Sequence, residues 1–125
     1  MKNLVRSAFA VCALALGCSA TQAQAYPTGP VTLVVPFAAG SGTDSVARAV
    51  AAGLAERLKQ PVIVDNKPGA NAQVAAQLVS KAKGDGYTLF MTTNTSHSAN
   101  PALYKNLKYD PIKDFTPVAR VGELP

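Results

Sequence analysis

The chain of 125 residues carries 12 lysines and arginines against 7 acidic residues, which gives a formal net charge of +5 at pH 7. Because the basic residues form no run or stripe, the sequence excludes the electropositive surface typical of nucleic-acid-binding proteins. A length of this order accommodates one small folded domain rather than two. The mild positive balance favours a small anionic ligand.

Residues 1–25 have the pattern of an export signal. A basic start precedes a short apolar stretch, and an A-x-A site follows at Ala23-Gln24-Ala25. We expect cleavage between Ala25 and Tyr26. Lipid attachment at Cys18 is the less favoured alternative, because a leucine stands where lipoprotein signals have a small residue.

Three apolar, β-branched runs are predicted to form strands buried on both faces of a parallel sheet. They are VTLVVPF at 31–37, PVIVDN at 61–66 and GYTLFMTTN at 86–94. Each run is bounded by Pro, Gly or Asn.

Two helical patterns separate these runs. The first repeats apolar residues every fourth position and is predicted to begin at a cap, Thr43 or Asp44. The second, ANAQVAAQLVSKAKGDG, is predicted to end at Gly84. Gly53 within the first helix suggests close packing against a neighbour. The residues predicted to form the buried faces are Val46, Val50, Leu54 and Leu58 in the first helix and Val74, Leu78 and Ala82 in the second.

The order strand, helix, strand, helix, strand predicts an α/β fold with three layers and a mostly parallel sheet of order 2-1-3, because such crossovers are right-handed. Ligands bind beyond the carboxyl ends of the strands in these sheets. The loops 37–43, 66–71 and 92–100 should therefore meet at the ligand site. We expect the domain to span residues 26–115, residues 116–125 to form a crossover, and FTPVARVG at 115–122 to form a further strand.

The glycine loop, residues 37–43, allows three interpretations. A dinucleotide site is suggested by Gly40 and Gly42, with Asp65 placed to bind a ribose, but Ser45 replaces the last glycine of that fingerprint. A P-loop needs a lysine near its second glycine, and no lysine lies between Pro36 and Ala47. An exported hydrolase could use Ser41 with the sole histidine, His97, although the nucleophile motif is incomplete. The third interpretation is an anion site, because glycines leave amide groups uncovered at the start of a helix.

Four motifs together resemble the amino-terminal part of the periplasmic substrate-binding receptors of tripartite tricarboxylate transporters, the Bug or TctC-like family. They are VPFAAGSGTD, NKPGA, DGYTL, and NPALY followed by YDPIKDF. The resemblance implies the first-domain portion of a type II periplasmic-binding-protein fold. It also implies capture of a small carboxylate, membrane components of the transporter as partners, no enzyme activity and no cofactor or metal.

By position, the resemblance implies that the glycine loop supplies backbone donors and hydroxyl groups, and that the loop after the third strand lines the same wall of the cleft. The implied ligand-binding residues are Phe37, Ala39, Gly40, Ser41, Gly42, Thr43, Asp44, Thr93, Asn94, Ser96 and His97.

Two departures from the family's motifs qualify these expectations, and the first is that the family's GGG is Gly40-Ser41-Gly42 here. The family's PGAGGxxG is PGANAQVA here, so side chains at Asn71 and Ala75 leave less room for a ligand at the second helix. The family's members are also longer, so we expect the chain to be a fragment in which residues 116–125 lead towards a second domain.

Overall fold

A three-stranded parallel sheet in the order β2-β1-β3 forms the centre of the computed structural model, which describes residues 26–123. The strands are β1 (Val31–Val35), β2 (Val62–Asn66) and β3 (Thr88–Phe90). The predicted strand order is confirmed, but the third strand covers only 3 residues of the run predicted for it. The predicted signal peptide, including Cys18 and Ala25, lies outside the described residues.

Strand β1 is the most deeply buried element because it has a neighbour on each side and helices over both faces. It pairs with β2 in the register Val31↔Val62 and with β3 in the register Val34↔Phe90. Four of its five side chains are buried. This burial explains the continuous apolar character of the run, which is typical of a central parallel strand.

Helix α1 (Gly42–Leu58) follows the glycine loop. Its N-cap is Ser41, whose side chain accepts a hydrogen bond from the amide of Asp44, so the predicted cap at Thr43 or Asp44 is wrong. The carboxylate of Asp44 accepts from the amide of Gly40, the residue before the N-cap, so only the serine half of a capping box is formed.

The buried side of α1 is also not the predicted one. Ala47 and Ala51 are buried together with Asp44, whereas Val46 of the predicted core face is 39% exposed. Small side chains let the helix approach the valines and leucines of the sheet closely, and the larger valines then lie beside that contact. The predicted close packing at Gly53 is likewise wrong, because a Cβ there would meet no atom within 4 Å.

A short 3-10 turn, Ala70–Ala72, leads into helix α2 (Gln73–Val79). The helix is shorter than predicted, and its buried residues are again alanines, Ala75 and Ala76. Val74 and Leu78, predicted to face the core, are 46% and 43% exposed. The predicted face of this helix is therefore wrong.

After β3 the chain forms a π-helical turn, Thr95–Ala99, and the one-turn helix α3, Asn100–Leu103. Residues 116–123 contain neither helix nor strand, so the strand expected in FTPVARVG is not formed there. Their role as a crossover to another domain stays a prediction. Between residues 26 and 123, no helix is both long enough and apolar enough to cross a membrane.

Candidate functional site

The glycine loop turns sharply between the end of β1 and the start of α1. The amide of Ser41 donates to the carbonyl of Ala38 at 3.1 Å, which closes the turn. Gly40 has a φ of +84°, a left-handed conformation that glycine adopts without the steric cost of a side chain. The loop residues Ala38, Ala39 and Gly40 are exposed.

The first amides of α1 are the hydrogen-bond donors that the loop leaves available. Because the first turn of a helix lacks intrahelical acceptors, the amides of Gly42 and Thr43 have none. The helix dipole adds about half a positive charge at this end. A Cβ built on Gly42 would meet no atom within 4 Å, so there is space beside these donors. This end of α1 can therefore accept a small anion.

Asp44 lies beneath the glycine loop and is only 2% exposed. One carboxylate oxygen, Oδ2, accepts from the Gly40 amide at 2.8 Å and from Arg48 Nε at 2.9 Å. The other, Oδ1, accepts from Asn66 Nδ2 at 2.9 Å. Asn66 Nδ2 also donates to the carbonyl of Phe37 at 3.0 Å, so the network reaches both ends of the loop.

These contacts lower the pKa of Asp44 from 3.8 to about 2. The hydrogen bond from Arg48 is the largest cause, followed by the Gly40 amide and the Asn66 amide group. A depressed pKa in the folded state contributes stability that is present above the unfolded value of 3.8 and is lost as the pH falls towards 2. The carboxylate is therefore ionised at neutral and mildly acidic pH.

The second loop at the carboxyl edge, residues 66–72, is joined to α3 by paired asparagines. Asn71 Nδ2 donates to Asn100 Oδ1 at 2.9 Å, and Asn100 Nδ2 donates to the Asn71 carbonyl at 2.8 Å. Asn100 is fully buried. Its amide group thus binds both the side chain and the carbonyl of Asn71 within the irregular turn at Ala70–Ala72.

The third loop, between β3 and α3, contains the histidine. His97 Nδ1 lies 2.8 Å from the hydroxyl of Ser96, which in turn lies 2.9 Å from the hydroxyl of Thr92. The imidazole packs against Phe90 and Phe115. Burial lowers the pKa of His97 and so favours the neutral form of the ring.

A compact turn in the motif YDPIKDF secures this third loop. The carboxylate of Asp110 accepts from the amides of Lys113 and Ile112, and these contacts lower its pKa. The turn presents Tyr109 inwards, and its hydroxyl donates to the Ser96 carbonyl at 2.6 Å and accepts from Asn100 Nδ2 at 3.2 Å. Tyr109 therefore holds the π-helical turn and α3 in place.

The structure brings part of the predicted ligand-binding set into one open groove. Four members line it: Thr43, Thr93, Asn94 and His97. Asp44 and Ser96 are buried and their oxygens are bonded internally, and their contact with a ligand stays a prediction. The exposed part of the glycine loop adjoins this groove through Thr43, and its contact with a ligand stays a prediction.

The two alternative interpretations of the glycine loop find little support in this geometry. The Ser41 hydroxyl caps α1 and His97 bonds to Ser96, so the nucleophile and base of a hydrolase are not in contact. Asp65, the candidate ribose ligand, pairs with Lys67 at 3.0 Å. The Gly40 amide, which a phosphate would need, is occupied by Asp44.

Within the described residues 26–123, no group of three or more His, Cys, Asp or Glu side chains could hold a metal ion. The donors that line the groove include the hydroxyls of Thr43 and Thr93 and the basic side chains of Lys83 and Arg120, and such groups suit an organic anion.

Three residues that organise the site were not predicted from the sequence: Asn66, Asn100 and Tyr109. Asn66 and Asn100 each had a local signal, since one ends a strand and the other precedes Pro101 at the start of a helix. Tyr109 had none beyond its place in the YDPIKDF motif, because its partners are 9 and 13 residues away.

Comparison with known proteins identifies relatives along nearly the whole chain. A UPF0065 protein of Bordetella pertussis is 42% identical over 116 residues, which covers 93% of this chain and 36% of the relative. That alignment is too long to leave out the glycine loop. The chain thus spans about a third of the length of the curated relatives that it matches.

Solved structures show the same fold. MatC of Rhodopseudomonas palustris with bound malate aligns with a TM-score of 0.71 and 46% identity, over 74% of this chain and 32% of that one. Another R. palustris protein, with adipate, has a TM-score of 0.66 and 43% identity, over 69% and 29%. The periplasmic binding protein BugD has a TM-score of 0.64 and 40% identity, over 72% and 30%.

The expected fold, part of a periplasmic-binding-protein domain, is confirmed by these structures. Residues 46–125 match the family described as the tripartite tricarboxylate transporter family receptor, TctC. The sequence motifs, the strand order and the relatives agree, and the chain belongs to this receptor family.

Proposed function

We propose that this chain supplies one wall of the ligand site in a periplasmic receptor for small carboxylates. The observation that carries the proposal is the start of α1, where the Gly42 and Thr43 amides lack intrahelical acceptors beside open space. A carboxylate placed there would accept charge-assisted hydrogen bonds, which are stronger than those between neutral groups. Thr43 also lines the groove with Thr93 and Asn94, which extends the wall.

The ligands of the structural relatives support the chemical class of the substrate. Malate is bound in MatC and adipate in the second R. palustris protein, and both are dicarboxylates. The alignments cover about a third of those chains, and receptors of this kind close a second wall over the ligand. The proposal is therefore a binding function without catalysis and without a cofactor.

The cell compartment and the partners belong to the same proposal. The export pattern of residues 1–25 and the relationship to BugD, a periplasmic binding protein, support a periplasmic location after cleavage at Ala25. The family description supports delivery of the ligand to the membrane components of a tripartite transporter.

A thermal-shift screen of the full-length protein with carboxylates, nucleotides and esters tests the class of ligand. A ligand that binds only the folded state adds RT ln(1 + [L]/Kd) to the free energy of unfolding, which raises the unfolding temperature. We expect stabilisation by di- or tricarboxylates such as malate and adipate. Stabilisation by a nucleotide or turnover of an ester, with no response to any carboxylate, would contradict the proposal.

The variant Gly42→Val tests the location of the ligand. Its side chain would enter the open space beside the amides, and we expect the affinity for the carboxylate found in the screen to fall more than about tenfold, the effect of one lost charge-assisted hydrogen bond. Calorimetry measures the affinity. Gly53→Val is the matched control, because it places the same side chain in open space on the same helix. Equal affinities of the two variants would mean that the loop only packs the helix.

A further inference from the structure

We infer that Asp44 is a positioning residue, which holds the glycine loop in the conformation that leaves the Gly42 and Thr43 amides free for the ligand. This inference rests on the proposed function. It assigns to Asp44 no contact with the ligand, and it replaces the ligand-binding role predicted for that residue from the sequence.

The contacts of Asp44 join three separate parts of the chain. Through Gly40 the carboxylate holds the loop, through Arg48 it is fixed to its own helix, and through Asn66 it is fixed to the end of β2. Asn66 binds the carbonyl of Phe37 with the same amide group. The loop is therefore attached near its start and near its end to one pair of side chains, the buried Asp44 and the partly buried Asn66.

A loop of this composition needs such an attachment. Its residues Ala38, Ala39 and Gly40 are exposed and have small or no side chains, so packing gives them little support. Gly40 has access to both signs of φ, and its observed φ is +84°. Fixing the loop before the ligand arrives reduces the conformational entropy that binding would otherwise lose.

Asp44 also selects which donors remain available. Its own amide is used by the Ser41 hydroxyl, and its carboxylate uses the Gly40 amide. The Ser41 amide donates to the carbonyl of Ala38. The amides of Gly42 and Thr43 are then the unoccupied donors at the start of α1. Arg48 pairs with the carboxylate at 2.9 Å, which limits repulsion between Asp44 and an incoming anion.

Positioning and simple electrostatics predict opposite effects of Asp44→Asn. The substitution removes a negative charge close to an anion site, so electrostatics alone would tighten the binding of a carboxylate. The amide group of the new asparagine would instead face the donors of Gly40, Arg48 or Asn66, so one of these bonds is lost. If Asp44 acts by positioning, binding weakens although the site becomes less negative.

The experiment compares the full-length protein with its Asp44→Asn, Asn66→Ser and Glu56→Gln variants. Glu56→Gln is the matched control, since it removes one negative charge from an exposed position of the same helix. Calorimetry with malate and adipate gives the affinity, well below the unfolding temperature of each variant. Hydrogen exchange at the Gly40 amide reports the loop without any ligand. Asn66→Ser breaks the same attachment without changing the charge, and it provides the test of the inference if Asp44→Asn does not fold.

We expect Asp44→Asn and Asn66→Ser to weaken carboxylate binding at least about tenfold and to speed exchange at Gly40, while Glu56→Gln changes neither. Unchanged or tighter binding in both variants would overturn the inference, as would unchanged exchange at Gly40. If the unaltered protein binds no carboxylate, the proposed function fails and the binding part of this inference fails with it. The exchange measurement then still decides whether Asp44 holds the loop.

Discussion

Left-handed backbone conformations at consecutive residues mark the loop before α2. Ala70, Asn71 and Ala72 have φ angles of 44°, 53° and 69°. Asparagine tolerates this region of φ and ψ, but alanine does so at a cost of roughly 1–2 kcal/mol per residue. The turn is supported by Asn100, which accepts from the Asn71 side chain and donates to the Asn71 carbonyl.

Ala70→Gly should stabilise the protein. Relief of the left-handed conformation is worth roughly 1–2 kcal/mol, and the greater freedom of glycine in the unfolded chain opposes it by roughly 0.5–1 kcal/mol. Ala70 is exposed, so no buried methyl group is lost. We expect the free energy of unfolding to rise by about 0.5–1 kcal/mol in denaturant titration.

Ala52→Gly is the control for this measurement, because Ala52 is an exposed residue inside α1. There the same substitution should lower the free energy of unfolding by about 1 kcal/mol. Destabilisation by both substitutions would show that Ala70 is not strained.

Some residue roles could be predicted from the sequence and others could not. Gly40 and Gly42 identified the loop, because glycines before a helix indicate uncovered amides. The role of Asp44 could not be predicted, since it depends on Asn66, which is 22 residues away in sequence. The sequence pattern also could not distinguish a residue that contacts the ligand from one that supports the loop beneath it.

The type of each helix and strand was predicted more successfully than the face that each helix buries. Five apolar and helical segments were recognised, yet both helices bury alanines rather than the larger apolar residues. Two rows of apolar residues run along α1, one of larger side chains such as Val46 and one of alanines such as Ala47. Periodicity alone does not say which row faces the sheet. The choice depends on close contact between small helix residues and the valines of β1, which is a property of the assembled layers.

The motif YDPIKDF acts as a structural element in its own right. Its turn places Tyr109 against the π-helical turn and α3, and Phe115 against His97. The loop that lines the groove with Thr93 and Asn94 thus depends on residues that follow it in the chain.

Tyr109→Phe tests this dependence. The substitution leaves the Ser96 carbonyl and the Asn100 amide group without the hydroxyl that they share, and an unpaired buried polar group costs about 1–3 kcal/mol. We expect the free energy of unfolding to fall by about that amount in denaturant titration. Tyr104→Phe removes a hydroxyl from an exposed tyrosine and should have almost no effect. A similar result for both variants would contradict the role assigned to Tyr109.

At the scale of the whole molecule, the strand order and the position of the site follow from general rules. The three parallel strands have the order β2-β1-β3 that the alternation of strands and helices predicts, and ligands of such sheets bind at the carboxyl edge. The three loops predicted to meet there are joined by the bonds of Asn66 with Asp44 and of Asn71 with Asn100. The lengths of the third strand and second helix could not be predicted, because they depend on where tertiary contacts end.

The central claim is that the start of α1 receives the carboxylate of the ligand. Backbone amide resonances of the full-length, 15N-labelled protein, followed during titration with malate and adipate, test it most directly. We expect saturable shifts at Gly42 and Thr43, with the same Kd that calorimetry gives and smaller changes at Gly40, whose amide is already bonded to Asp44. Saturable binding with no change at Gly42 or Thr43 would contradict the claim.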